Sequence, residues 1–93
     1  MEKVQELKFP KQRATVPLSV VLSQTETGYA THLRDYTFPG NQGKMHGHYF
    51  DDLISAQVDY DKRCETLFST CRAQGLITQH TLIGYRASAD SSL

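Results

Sequence analysis

The sequence has no net charge and no long apolar run, and each absence excludes a class of partner. Ten Lys and Arg balance ten Asp and Glu, so the molecule as a whole has no field that would attract nucleic acid or an anionic membrane, and such binding needs a local patch. No apolar run approaches the roughly 18 residues of a membrane span, and Met1-Glu2-Lys3 leads into no signal-peptide core. We therefore expect a soluble, cytoplasmic protein without a membrane partner.

Cysteine is also scarce, with only Cys64 and Cys71 present. They are seven residues apart in a segment predicted to be helical, which places their Cα atoms about 10 Å apart at a rise of about 1.5 Å per residue. This separation is too large for a disulfide. We expect both to be reduced thiols in the core.

The length of 93 residues suits one domain with a single modest core. We expect residues 1–13 to form an N-terminal arm or an edge strand, because Pro10 interrupts regular structure there. Residues 14–87 are predicted to form a single α+β domain, and the polar residues 88–93 a flexible tail.

Two strands joined by a turn are predicted between Thr15 and Phe38. Apolar residues occupy alternate positions of the first, the period of a strand with one buried face: Val16, Leu18, Val20 and Leu22. Gly28 supplies the turn, and the second strand follows from Tyr29. On one face of that strand lie Tyr29, Thr31 and Leu33, and on the other lie Ala30, His32 and Arg34. The two strands form an antiparallel hairpin.

A short third strand over residues 44–50 precedes a long helix. Alternation places Met45, Gly47 and Tyr49 on one face of the strand and His46, His48 and Phe50 on the other. From Leu53 the period becomes that of an amphipathic helix of about 24 residues, with the buried stripe Ala56, Tyr60, Cys64, Leu67, Phe68 and Cys71. We expect Asp51 or Asp52 to cap its first turn, and Gly75 with Leu76 to end it in a Schellman motif.

A last strand is predicted over residues 80–87, which gives the order β-β-β-α-β. The fold class is therefore α+β, an antiparallel sheet of three to four strands covered by one long helix.

The stretch GNQGKMHGHYFDDL, residues 40–53, carries the candidate ligand-binding groups. His46 and His48 share a predicted strand face and Asp51 follows closely, so a metal has three candidate ligands there. The alternative is a pair of surface imidazoles, which we favour because structural zinc sites bring paired ligands to both ends of a loop. We expect no metal and no cofactor.

The glycines of this stretch suggest phosphate binding only at first sight. A P-loop needs four residues between its glycines, a Ser or Thr after the Lys, and a following helix, whereas two residues separate Gly40 from Gly43 and Met45 follows Lys44. A GXXG clamp joins two helices, but this loop is predicted between strands. Turn chemistry accounts for both glycines.

Catalytic groups are not apparent in the pattern. Nucleophilic catalysis requires an exposed Cys beside a base, or a Ser with a positioned His and acid. The carboxylate pairs Asp51/Asp52 and Asp59/Asp61 point in different directions on a helix. We expect no enzyme, although a small metal protein or enzyme that uses His46 and His48 stays an alternative, because catalytic groups assemble in space.

One flank of the predicted helix departs from the pattern of a solvated face. Ile54 and Val58 are four residues apart and lie roughly 100° to 140° from the core stripe. They form an apolar contact patch with a charged rim, the anatomy of a protein interface, or they are covered by a neighbouring loop or by the N-terminal arm.

The charged residues are also segregated along the chain, because residues 51–65 hold five acids and residues 3–13 hold four bases. This indicates either solvation or steering toward a charged partner.

The segment GHYFDDLISAQVDYDKRC, residues 47–64, resembles small accessory proteins of phages and plasmids. Some of these proteins inhibit host defence, including anti-CRISPR proteins. The resemblance implies a non-enzymatic protein that works by occupying the surface of a partner.

Two binding functions are predicted from these features. The first is a protein-interaction module that blocks or recruits a partner protein, through Ile54, Val58, Asp51, Asp59, Lys62, Asn41, Lys44, His46 and His48. The alternative is a nucleic-acid-binding domain whose affinity falls steeply with salt, through Lys8, Lys11, Arg13, Arg34 and Lys44.

Overall fold

The computed structural model describes residues 2–13 and 15–76. These residues form an antiparallel four-stranded sheet of order β1-β2-β3-β4, with one helix packed on it. The elements are β1 (Glu2–Lys8), β2 (Leu18–Gln24), β3 (Tyr29–Asp35), β4 (Lys44–Phe50) and α1 (Leu53–Ala73). The predicted α+β class is confirmed, in the order β-β-β-β-α because the N-terminal segment forms edge strand β1. The strand predicted over residues 80–87 and the tail over residues 88–93 lie outside the described residues.

In this part of the chain, no helix is long and apolar enough to cross a membrane.

Strand β2 begins at Leu18 and not near Thr15 as predicted. The reason is Pro17, which has no N–H to join a strand ladder, and Val16 is 43% exposed. Strand β3 ends at Asp35 and not at Phe38, because the Asp35 carboxylate accepts hydrogen bonds from the backbone N–H and the hydroxyl of Thr37 and so closes a turn.

The sheet has an inner face, which contacts α1, and an outer face. Leu18, Val20 and Leu22 lie on the inner face, as do Tyr29 and Leu33 from β3. The register aligns outer-face residues in three rows across the strands, and each row begins on β1. The first row is Lys3, Ser23, Ala30 and Tyr49, and the second is Glu6, Val21 and His32. The third row is Lys8, Ser19, Arg34 and Lys44. The predicted faces of β3 are confirmed.

A β-bulge in β4 changes the faces predicted for that strand. Thr31 pairs with His48, and Leu33 pairs with Met45. The two pairs are therefore two residues apart along β3 but three residues apart along β4. The bulge includes His46, whose backbone has a positive φ of 52°. Met45 therefore shares the inner face with His48 and Phe50, and the prediction that grouped Met45 with Gly47 and Tyr49 was wrong.

The helix follows its sequence pattern closely. All six residues of the predicted stripe are buried. Asp52 is the N-cap, and its side chain accepts a hydrogen bond from the Ser55 N–H at 2.8 Å. At the other end Gly75 has φ 71°, and Leu76 N–H donates to the Cys71 carbonyl at 2.9 Å while Gly75 N–H donates to Arg72, which is the predicted Schellman motif. The helix spans 21 residues, somewhat fewer than the predicted 24.

The core lies between the inner face and α1 and includes the residues just after β1. The ring of Phe9 packs edge-on against Phe68 with centroids 5.0 Å apart. Cys64 and Cys71 are buried in this core as reduced thiols, as predicted. Burial raises the pKa of the Cys71 thiol, so it packs as a neutral hydrophobic group.

Candidate functional site

The outer face of the sheet and the start of α1 carry opposite charge. Lys3, Lys8, Arg34 and Lys44 lie on the outer face of the sheet, where Glu6 is the one carboxylate among the described residues. Residues 51–65 hold five acids, Asp51, Asp52, Asp59, Asp61 and Glu65, against the two bases Lys62 and Arg63. The zero net charge of the chain therefore conceals a polarised molecule.

Three aliphatic side chains at the start of α1 form an exposed patch, which we call the helix patch: Leu53, Ile54 and Val58. They are 43%, 77% and 49% exposed. The sequence left exposure or coverage of Ile54 and Val58 open, and the structure exposes both. Asp51 and Lys62 at the edge of the patch are also exposed. The arrangement is an apolar centre with a charged rim, on a helix start that Asp52 holds in place.

Asp59 does not belong to this exposed surface, although the sequence grouped it there. Its carboxylate turns toward the sheet, where its Oδ2 accepts a hydrogen bond from the Thr31 hydroxyl. The same oxygen lies 3.0 Å from His48 Nδ1 and 3.2 Å from Arg63 Nε. Burial raises the pKa of Asp59, but the hydrogen bonds of Thr31 and His48 and the charges of His48 and Arg63 outweigh it and hold the pKa below its usual value. Asp59 thus ties α1 to β3 and β4.

We expect Asp59→Asn to destabilise the domain by about 1–3 kcal/mol at neutral pH, because charge-assisted hydrogen bonds are lost from a half-buried site. A lowered folded-state pKa means that the ionised Asp59 stabilises the fold above the unfolded-state pKa, near 3.8. This stabilisation is lost as the pH falls through the still lower folded-state pKa. Urea unfolding at neutral and acidic pH measures both effects. Asp61→Asn, at an exposed position, is the control and should change stability by less than about 0.5 kcal/mol. Equal losses for the two variants would contradict the assignment.

A groove of about 350 Å³ lies between α1 and β4. Leu33 and Leu67 give it an apolar lining, and the polar lining consists of His46, His48, Lys62, Arg63 and Thr66. Arg63 donates to the His46 carbonyl at 2.6 Å, while its buried Nη1 has no hydrogen-bond partner among residues 2–13 and 15–76. Within the same residues, no three His, Cys, Asp or Glu side chains are grouped to hold a metal. The two histidines predicted as a pair thus border one groove, which offers donors and apolar surface.

The outer face contains a second depression, of about 330 Å³. Val21 lies in its lining between cations from β1, β3 and β4, and Asn41 contributes from the loop after β3. Arg34 fixes this loop by donating to the Phe38 carbonyl, and its Nη1 lies 2.8 Å from the Glu6 carboxylate. The depression is therefore polar and lies on the face opposite to α1.

The residues predicted to bind nucleic acid fall into two groups. Lys8, Arg34 and Lys44 meet in one row on the outer face. Lys11 and Arg13 lie elsewhere, since the Arg13 N–H donates to Gln74 at the end of α1. Lys3 was not among the predicted residues, because only the register of β1 places it on this face.

The residues predicted to bind a protein partner are divided as well. Ile54, Val58 and Asp51 lie at the helix patch. Lys62, His46 and His48 line the groove, and Asn41 and Lys44 lie at the outer-face depression.

Comparison with known proteins adds no relative, because no protein-family model, curated protein or solved structure matches this chain.

Proposed function

We propose that this protein is a non-enzymatic protein-interaction module that binds its partner through the helix patch. The observation that carries the proposal is the exposure of Ile54 and Val58, 77% and 49%, on successive turns of a helix whose opposite side is fully packed. Covering two adjacent aliphatic side chains gives a favourable hydrophobic contribution to binding. The patch is preformed, because Asp52 caps the helix start, so little conformational entropy is lost on binding.

Charge defines the chemistry of the partner. The carboxylates of Asp51 and Asp61 are exposed on the same helix start, so the matching surface is an apolar pocket bordered by Lys or Arg side chains. Lys62 lies four residues after Val58 and also lines the groove, so the helix patch and the groove form one surface along the helix. The groove offers Arg63 and the histidines for polar contacts at the edge of the interface.

On this proposal the protein acts by occupancy, as the resemblance to small phage and plasmid proteins implies. An inhibitor of host defence of that kind blocks or recruits its target and needs no catalytic group of its own. This proposal leaves the outer face of the sheet free for a separate use.

The test is the double variant Ile54→Glu/Val58→Glu. We expect partner affinity to fall by at least about 30-fold, which is about 2 kcal/mol, because central interface residues contribute this much. The folded protein should keep its melting temperature, since both side chains are exposed. The control is Ser69→Glu/Ala73→Glu, which adds the same charge at exposed positions near the other end of α1.

The tagged protein and both variants are incubated with nuclease-treated lysate of the source organism or its host, and captured proteins are identified by mass spectrometry. The captured protein is then purified and titrated by calorimetry. Loss of a stoichiometric partner with the first variant alone supports the proposal. Retention of the partner by that folded variant would refute the helix patch, and unfolding of the variant would show that the two residues belong to the core.

A further inference from the structure

The outer face of the sheet combines cations with small central residues. Its cations lie on the strands β1, β3 and β4, whereas β2 contributes only small side chains, Ser19, Val21 and Ser23. The Ser23 hydroxyl accepts from Lys44 Nζ at 3.4 Å, and Ser19 donates to Glu6. Rows on one face are about 6.6 Å apart and strands about 4.8 Å apart. The rows of cations border the depression of about 330 Å³, and we call the depression together with these rows the trough.

An exposed aromatic ring lies at one end of this trough. Tyr49 is 69% exposed and packs edge-on against His32, with ring centroids 5.8 Å apart. A Cβ at Gly47 would lie only 2.7 Å from His32 Nε2, so glycine at this position lets the histidine support the tyrosine. The ring of Tyr49 is thus held with most of its surface in solvent, the condition for stacking on a base.

The local potential at this face is positive. Burial lowers the pKa of Lys44, the charges of Arg34 and Lys3 lower it further, and Glu6 opposes them. Burial also lowers the pKa of His32, and the charge of Lys44 adds to the effect. Glu6 neutralises only part of the charge, because four cations line the same depression and Glu6 pairs with Lys3 and Arg34. An anion bound in the trough would relieve this repulsion.

We propose that the outer face binds single-stranded nucleic acid, with backbone phosphates at Lys3, Lys8 and Lys44 and a base stacked on Tyr49. Cations that follow the backbone beside an exposed ring are the usual elements of single-strand binding. A paired strand cannot present a base to this ring, so a duplex would reach the lysines alone. The site lies on the opposite layer from the helix patch, and it is independent of the function proposed there.

The first test removes the three lysines as Lys3→Gln/Lys8→Gln/Lys44→Gln. Binding of fluorescein-labelled oligothymidylate is followed by anisotropy over a range of salt concentrations. Each lost phosphate contact reduces the slope of log K against log salt by about 0.7, so we expect the slope to fall by about 2 and the affinity by about fifty-fold near physiological salt. The control, Lys11→Gln/Arg13→Gln/Lys62→Gln, removes the same charge away from the face and should keep most of the affinity.

The second test concerns the aromatic ring. Tyr49→Ala should weaken oligothymidylate binding at least about fivefold, whereas Tyr49→Phe should preserve it, because stacking needs the ring and not the hydroxyl. This exposed position keeps the proposal testable if the triple variant fails to fold. Duplex DNA of the same length and polyglutamate serve as competitors, and both should compete poorly.

Four results would overturn the proposal. They are an absence of oligothymidylate binding at low salt, an equal loss of affinity in the lysine variant and its control, an unchanged affinity in Tyr49→Ala, and competition by duplex DNA or polyglutamate as strong as by the single strand. The last result would identify a general polyanion surface.

Discussion

Replacing Glu6 with leucine is expected to cost about 3–5 kcal/mol of folding free energy, because it leaves the Arg34 guanidinium without its counterion. The side chain of Arg34 is only 10% exposed and that of Glu6 only 9%, with 2.8 Å between Arg34 Nη1 and Glu6 Oε2. The Ser19 hydroxyl loses its shorter hydrogen bond in the same change and keeps only the Arg34 carbonyl, at 3.5 Å, as acceptor. A domain of this size has a total stability of only about 5–15 kcal/mol, so the variant should be marginal.

The double variant Glu6→Leu/Arg34→Met separates the charge from the packing. Replacing both members of a buried pair by apolar groups of similar volume is often neutral or stabilising, so we expect the double variant to be more stable than Glu6→Leu alone. Urea unfolding of the wild type, both single variants and the double variant gives the coupling energy. A loss below about 1 kcal/mol for Glu6→Leu would contradict the assignment of a buried pair.

The effect of Glu6 also depends on pH. Burial raises the pKa of Glu6, but hydrogen bonds from Ser19, Lys3 and Arg34 and the charge of Arg34 outweigh it, and the pKa lies below the usual 4.5. The ionised group therefore stabilises the fold above the unfolded-state pKa, and this contribution is lost as the pH falls through the folded-state value. The difference between wild type and Glu6→Leu should shrink below about pH 4.5.

Phe9→Ala is expected to cost about 3–5 kcal/mol, since it empties a large space in the core. Phe9 is 1% exposed and packs against Phe68 on the helix. We expect the melting temperature to fall by more than about 10 °C, measured by circular dichroism. Phe38→Ala is the matched control, because Phe38 is 49% exposed, and its cost should stay within about 0.5 kcal/mol.

Similar losses for the two phenylalanine variants would contradict this account. They would mean that the segment after β1 does not contribute to the core. A large loss for Phe9→Ala alone would show that the first nine residues are part of the folded unit and not a separable arm.

Local pattern determined the helix and the central hairpin. The buried stripe of α1, its cap at Asp52 and its end at Gly75 all depend on residues within a few positions of one another, so the sequence predicted them correctly. The alternation in β2 and β3 is equally local and correctly separated Leu33 from Arg34. Helix geometry predicts that Ile54 points away from the core. Only the tertiary structure shows that none of the other described residues covers it, since its side chain is 77% exposed.

Tertiary structure alone decided which distant residues meet. Asp59 contacts Thr31, and Glu6 contacts Arg34, each across 28 positions of the chain. The bulge at His46 reversed the predicted side of Met45. Strand register brought Lys3, Lys8 and Lys44 onto the outer face. It left Lys11 and Arg13 elsewhere, although they are close to Lys8 in sequence. The physical reason is that side-chain periodicity is a property of contiguous residues, whereas register and bulges depend on which strands pair and where they begin.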